Sequence, residues 1–363
     1  MEKIAHKFVQ VNGVKLHVAE IGTESSPTVV FLHGFPEIWY SWRHQMIAVA
    51  EAGYRAIAPD CRGYGLSDPP PETEKFGFSD LIDDLLAILD YLGIDKVSII
   101  TKDSGTRPGN HFALLHPTRV TSVISLGVPH RPFGDTSYLK EMPEGFYVNR
   151  WREPGRAEAD FGRLDAKTVV RNIYILFSRS EIPITSGGQQ RDDNQLIKVE
   201  SQDQELLKNG MMVLDDDFFQ MIGRMMGDDG FLPKDGKNCG EIMDIVEPST
   251  PLLSWFTEQD LSAYGALYEK SGFLNPLKVP YRSMEEEDNI VDQVIKIPML
   301  LIVGGKDYFL KFPGVEDLIK SEEVKRFSPN LEIEWIPEGS HFVQEQFPDR
   351  VNSLILAFLR NHN

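Results

Sequence analysis

The chain has 363 residues, of which 55 are acidic and 37 basic, and its formal net charge of −18 argues against nucleic acid or an anionic membrane surface as partner. A hydrophobic share of 41% is ample for a sizeable core, and the length exceeds one average domain, so a core domain carrying one inserted domain is expected. No apolar run approaches the ~20 residues that span a bilayer, which argues against an integral membrane protein.

From residue 8 to about 128, short β-branched runs alternate with amphipathic stretches, the pattern of strands interleaved with helices. Strands are expected at 14–18, 28–32, 55–58, 97–100 and 120–126. Between them Leu81, Ile82, Leu85, Leu86, Leu89 and Leu92 recur at helical spacing, with Asp83, Asp84 and Asp90 assigned to the other face. After Pro129 the alternation breaks. It resumes with a strand at 297–303, a helical stretch near 315–319, a strand at 331–336 and a closing helix over 342–359. This is a mostly parallel central sheet flanked by helices, an α/β core in two parts, 1–134 and 291–363, separated by an insertion over 135–290. The insertion reads as mainly helical, with methionines at 211, 212, 221, 225, 226 and 243 as cavity lining or core filler and a polar stretch at 186–204 that suits a loop. Two cysteines, Cys61 and Cys239, and an opening without a secretory leader suggest free thiols and a cytoplasmic setting.

Asp103 stands where the apolar strand at 97–100 turns into a glycine-containing segment, and Asp307 and His341 each follow a later apolar run. Acid nucleophile, then acid, then histidine is the order of an α/β-hydrolase that attacks with a carboxylate. Alone, an Asp at such a turn is more often a helix cap, and a lone histidine before a helix is more often structural. The three-part order is what carries the assignment. His33-Gly34-Phe35-Pro36 ends the strand at 28–32, where such folds supply an oxyanion amide, so the backbone N–H groups of Phe35 and Ser104 are the expected oxyanion donors. Neither a phosphate loop nor a zinc or calcium signature is present, and no metal and no organic cofactor are expected.

With these residues in place the chain resembles the epoxide hydrolases of the α/β-hydrolase superfamily, most closely their plant soluble members. The resemblance covers nearly the whole length and rests on HGFPEIWYSWRHQM at 33–46, APDCRGYGLSD at 58–68, YVNRWREPGRAEADF at 147–161, LLSWFTEQDL at 252–261, YEKSGF at 268–273, VGGKDYFLKFPG at 303–314 and EGSHF at 338–342. It implies an α/β-hydrolase fold with an inserted helical cap, and lid tyrosines at Tyr147 and Tyr281 that activate the epoxide oxygen as acids. Asp103 would be the nucleophile, His341 would activate water and Asp307 would orient it, giving a vicinal diol. His33, Pro36, Trp39, Lys102 and Phe342 are expected to contact the substrate, an apolar epoxide, in a monomer or homodimer.

The departures sit at the elbow, where the family usually reads Gly-His-Asp-Trp-Gly and this chain has Thr101-Lys102-Asp103-Ser104-Gly105. Thr101 is expected to crowd the turn, and Pro108 and Gly109 to weaken the helix that follows. Pro280 stands before Tyr281 where an aromatic residue is usual, and 184–248 is longer than the usual lid connection. Alternatives therefore stay open: an epoxide-opening cyclase or isomerase of specialised metabolism, or a non-catalytic small-molecule binding protein. Ser104 disfavours a haloalkane dehalogenase, and Asp103 disfavours a serine esterase.

Overall fold

The computed structural model describes residues 4–72, 75–130, 147–178, 241–284, 293–312 and 314–362. Eight strands form one sheet: β1 (Ala5–Val11), β2 (Val14–Ile21), β3 (Thr28–Leu32), β4 (Arg55–Pro59), β5 (Val97–Lys102), β6 (Val120–Leu126), β7 (Met299–Gly304) and β8 (Leu331–Ile336). Their spatial order is β1-β2-β4-β3-β5-β6-β7-β8. The β1–β2 and β2–β4 pairs are antiparallel and every later pair is parallel. Every residue of β3, β4, β5 and β7 is buried, as expected of parallel strands covered by helices on both faces. β1 was not expected from the sequence. Of its seven residues only Val9 is buried, so an edge strand of this kind leaves almost no hydrophobic alternation to read.

Helices α1 (Arg43–Glu51), α2 (Phe78–Tyr91) and α3 (Thr106–Leu115) lie between the early strands. Along α2 the buried face carries Ile82, Leu85, Ile88 and Leu89 at the expected spacing, but Asp84, assigned to the solvent face, is buried too. It receives the Arg62 guanidinium, with Nε 2.6 Å from Oδ2, so a buried carboxylate here is paired rather than misplaced. Between β6 and β7 the described chain is mainly helical: α4 (Tyr147–Arg152), α5 (Arg156–Phe161), α6 (Ala166–Phe177), α7 (Glu258–Ser271) and a π-helical turn, Lys278–Arg282. The stretch at 186–204 and Met211, Met212, Met221, Met225 and Met226 lie outside the described residues, whereas Met243 is buried. This is the α/β-hydrolase fold with a helical cap. Tyr174 of α6 stacks between Phe256 and Phe342, at 4.2 and 4.1 Å between ring centroids, and so joins cap and core by aromatic faces.

After β7 come α8 (Val315–Lys320), then β8, α9 (Val343–Gln346) and α10 (Pro348–His362). The single closing helix expected over 342–359 is thus two, divided where Pro348 lacks an N–H to continue the first and serves well as the opening residue of the second.

The elbow also departs from expectation. Thr101 does not crowd the turn, because Gly109 makes room for it: a β-carbon on Gly109 would lie 2.4 Å from the Thr101 methyl. The Thr101 hydroxyl bonds those of Ser125 and Thr106, each at 3.2 Å. Pro108 falls in the first turn of α3, where an N–H has no partner one helical turn back, so the helix loses little by it. Gly109→Ala should therefore destabilise the protein by about 1–3 kcal/mol through overpacking. In thermal denaturation, the added Thr101→Gly change should recover part of that loss; strictly additive losses would refute the pairing.

Candidate active site

The strand order reverses at β3, which lies between β4 and β5, and in open α/β sheets the crevice beyond the strand ends at such a point is where ligands bind. Residues 33–36 leave β3 and Asp103 leaves β5, side by side in register, Leu32 opposite Thr101. Asp103 has φ +50°, in the left-handed region, which costs a non-glycine residue about 1–2 kcal/mol. Such strain at an exposed turn is common where a side chain must be presented for chemistry. The Phe35 N–H donates to Asp103 Oδ1 at 3.1 Å. The approach is so close that a β-carbon on Gly34 would lie 2.5 Å from that oxygen. Ser104 is the second residue of the 3-10 turn that Asp103 opens.

β7 and β8 deliver the other two members. Asp307 Oδ1 lies 2.9 Å from His341 Nδ1, and His341 Nε2 lies 3.6 Å from Asp103 Oδ2. With the Nδ1 proton on the Asp307 side, Nε2 presents a lone pair toward the Asp103 carboxyl group. Burial alone would raise the Asp307 carboxyl, but His341, Lys102 and the Phe309 N–H together hold it below the usual carboxylate range. It is therefore ionised beside the imidazole.

Tyr147 opens α4 and Tyr281 lies in the π-helical turn; both are almost fully buried and their ring centroids are 6.2 Å apart. Tyr281 packs edge-on against Phe35 at 5.6 Å and Trp151 at 5.1 Å. Burial, then Tyr147 and Asp103, push its phenol well above the usual range, which keeps it a donor at neutral pH. Pro280 does not leave this turn loosely held. Arg107, from the helix behind the elbow, donates to the carbonyls of Ser283 and Met284, each at 3.2 Å, and Arg282 pairs with Glu158 at 2.7 Å.

The residues expected to touch substrate are placed unevenly. Lys102 is fully buried, its Nζ 3.3 Å from His341 Nδ1 and 3.2 Å from Nε2. His33 spends both ring nitrogens on the scaffold, facing the Gly34 carbonyl at 2.9 Å and accepting the Cys61 N–H at 3.0 Å. Trp39 packs against His6 and His17 of the β1–β2 hairpin. Both ring nitrogens of His33 are thus taken up by the scaffold, Trp39 faces the β1–β2 hairpin, and Lys102 lies against the His341 imidazole. Pro36, after a cis peptide bond, is buried next to Phe35. Phe342 packs edge-on against His341 at 5.1 Å. Of this group, Lys102 and Phe342 are the two that lie against the His341 imidazole.

Two further groups were missed. Glu37, inside the HGFPE run, is fully buried with Gln344 on one oxygen; burial pushes its carboxyl up to about 8, against the pull of Lys102. Tyr308, next to Asp307, places its hydroxyl 3.1 Å from that of Tyr147 and its ring 4.8 Å from His341. A tyrosine directly after the acid was the one available signal.

The α/β-hydrolase fold family model matches residues 27–168. Epoxide hydrolase 1 of Siraitia grosvenorii is 31% identical over 99% of both chains. The chain belongs to the plant-type epoxide hydrolases of the α/β-hydrolase superfamily. Epoxide hydrolase A of Mycobacterium tuberculosis is 30% identical over 97% of this chain and 96% of its own. Among solved structures, a mutant epoxide hydrolase from Vigna radiata superposes with a TM-score of 0.76 at 30% identity, covering 99% of this chain and all of the other. As a member of this family the protein is an enzyme of the α/β-hydrolase type. Among the described residues no cluster of three or more potential metal ligands occurs, and no helix is long and apolar enough to cross a membrane.

Proposed function

We propose that the protein opens an apolar epoxide to a vicinal diol through an ester on Asp103. The observation that carries this reading is the convergence of a strained, amide-bonded carboxylate with the His341–Asp307 pair beneath two buried phenols. In the first half-reaction an Asp103 oxygen attacks one ring carbon, the carbon–oxygen bond on the far side breaks, and Tyr147 or Tyr281 supplies the proton to the leaving oxygen. In the second, His341 takes a proton from water, whose oxygen attacks the ester carbonyl. The Phe35 and Ser104 amides would stabilise the oxyanion that forms. Collapse releases the diol and restores the carboxylate, and the proton held by His341 balances the one the phenol gave up. The cap, taken as 135–290 between core parts 1–134 and 291–363, would close over an uncharged substrate. The setting is taken as cytoplasmic, with a monomer or homodimer as the working unit.

One observation favours a second reading. The buried Lys102 ammonium beside His341 opposes the positive charge that water activation places on that ring. A substrate whose own hydroxyl opened the epoxide in place of Asp103 would leave no ester for water to hydrolyse and would give an isomer. Oxygen-18 water separates the two. Hydrolysis through Asp103 gives a diol that is unlabelled in the first turnover, because its new oxygen comes from the carboxylate, and labelled in later ones. A product without the mass of added water would support cyclisation, and label in the first-turnover diol would exclude the ester.

A further inference from the structure

The phenol of Tyr308 has no part in the mechanism above, yet it lies against both halves of it. Its hydroxyl meets that of Tyr147 at 3.1 Å, its ring stacks on Phe177 at 4.6 Å, and the same ring leans on the His341 imidazole at 4.8 Å. Asp307, the preceding residue, caps the 3-10 turn Tyr308–Lys311 by accepting the Phe309 N–H at 2.9 Å. The turn that orients the triad acid thereby also sets the position of this phenol.

Two facing phenols share one hydrogen bond, so one proton lies between them and the other remains for a third party. If Tyr147 is to give its proton to the epoxide oxygen, Tyr308 has to be the donor in the shared bond. We infer that Tyr308 is a positioning residue for ring opening, donating a hydrogen bond to the Tyr147 oxygen as that phenol becomes a phenolate. The inference rests on the proposed function and deepens it by adding a third phenol to the acid pair. The bond exists before reaction and strengthens as charge develops on its acceptor, which is how a preorganised donor favours a transition state over a ground state. Burial, then Tyr147 and Asp103, hold the Tyr308 phenol well above its usual range, so it remains protonated while Tyr147 gives its proton to the epoxide oxygen. Its proton need not leave: Tyr308 stabilises the phenolate, and His341 later supplies through solvent the proton that restores Tyr147.

The test is Tyr308→Phe, which keeps the ring against Phe177 and His341 and removes only the hydroxyl. Styrene oxide is mixed with excess enzyme, and quenched samples are read by intact mass for formation and decay of the Asp103 ester. Loss of a charge-assisted hydrogen bond should slow ester formation by roughly 10- to 100-fold while the decay rate constant stays unchanged. Decay slowed along with formation would mean that losing the hydroxyl shifts the turn that also orients Asp307 and His341, a purely structural role, and would overturn the inference. Ester formation at the unmodified rate would overturn it too, leaving the Asp103 mechanism intact. Absence of any Asp103 ester in the parent enzyme, with diol still formed, would remove the mechanism beneath the inference and the inference with it.

Discussion

His341→Gln should stop turnover at the ester. Glutamine keeps a polar side chain between Asp307 and Asp103 but cannot accept a proton from water, so attack on the epoxide should survive and hydrolysis should fall by roughly 10²–10⁴-fold, the usual contribution of a positioned base. Exposed to aryl and fatty epoxides, the variant should gain the mass of one epoxide, and peptide mapping should place the adduct on Asp103. The geometry favours this outcome because nothing that holds the nucleophile depends on the imidazole. The Phe35 amide bonds Asp103 Oδ1, and its strained backbone is set by the strand end and the turn that follows it. His341 Nε2 faces the other oxygen without bonding it, at 3.6 Å. Folded variant protein that forms no adduct with any epoxide would sink the carboxylate mechanism and move the weight to cyclisation or to binding without turnover.

What could be read from the sequence follows from how locally each feature is encoded. Strands buried on both faces, such as β3 and β5, are short apolar runs, and the residues that end them, Leu32 into His33 and Lys102 into Asp103, announce the site by position alone. The order Asp103, Asp307, His341 survives in the linear chain because each ends a different parallel strand. Three-dimensional compensation is another matter. That the Thr101 methyl fills the space left by Gly109 is invisible until the helix lies on the strand, so both residues looked like faults when each was half of one fit. The direction of Lys102 was equally hidden. The side chain one position before the nucleophile is fully buried, and its Nζ lies against His341, with the buried Glu37 and Asp307 nearby. The buried roles of Asp84, Tyr308 and Arg107 were hidden for the same reason. Their partners, Arg62, Tyr147 and the Ser283 and Met284 carbonyls, lie far away in the chain.

Glu345→Ala should be the most damaging change away from the reacting groups, because one buried carboxylate there holds cap and core together. Its Oε1 accepts the phenols of Tyr174 and Tyr264 from cap helices α6 and α7, at 2.8 and 3.0 Å, and its Oε2 receives the Arg43 guanidinium from α1. Arg43 in turn reaches Asp260 of α7 at 3.0 Å. Burial raises the Glu345 carboxyl, with Arg43 and the two phenols opposing that rise, so the group is held by its partners rather than by solvent. Removing one member of a buried ion pair leaves the other uncompensated and costs about 3–5 kcal/mol, which for a chain of this size lowers the midpoint of thermal unfolding by roughly 4–7 °C. Glu345→Gln still accepts both phenols but removes the same charge from beside Arg43, so it should recover only the phenols' share of the loss. The functional consequence is separate from stability. α9 carries Glu345 four residues after His341, and Tyr147 and Tyr281 reach the site only from the cap, so a loosened cap moves the phenols away from Asp103 while leaving the triad assembled. Ester formation should therefore slow well below the melting temperature, with its decay affected less, and cap segments should become accessible to protease. An unchanged melting temperature together with unchanged ester formation would show that the aromatic stack of Tyr174 between Phe256 and Phe342 holds the cap without the charge.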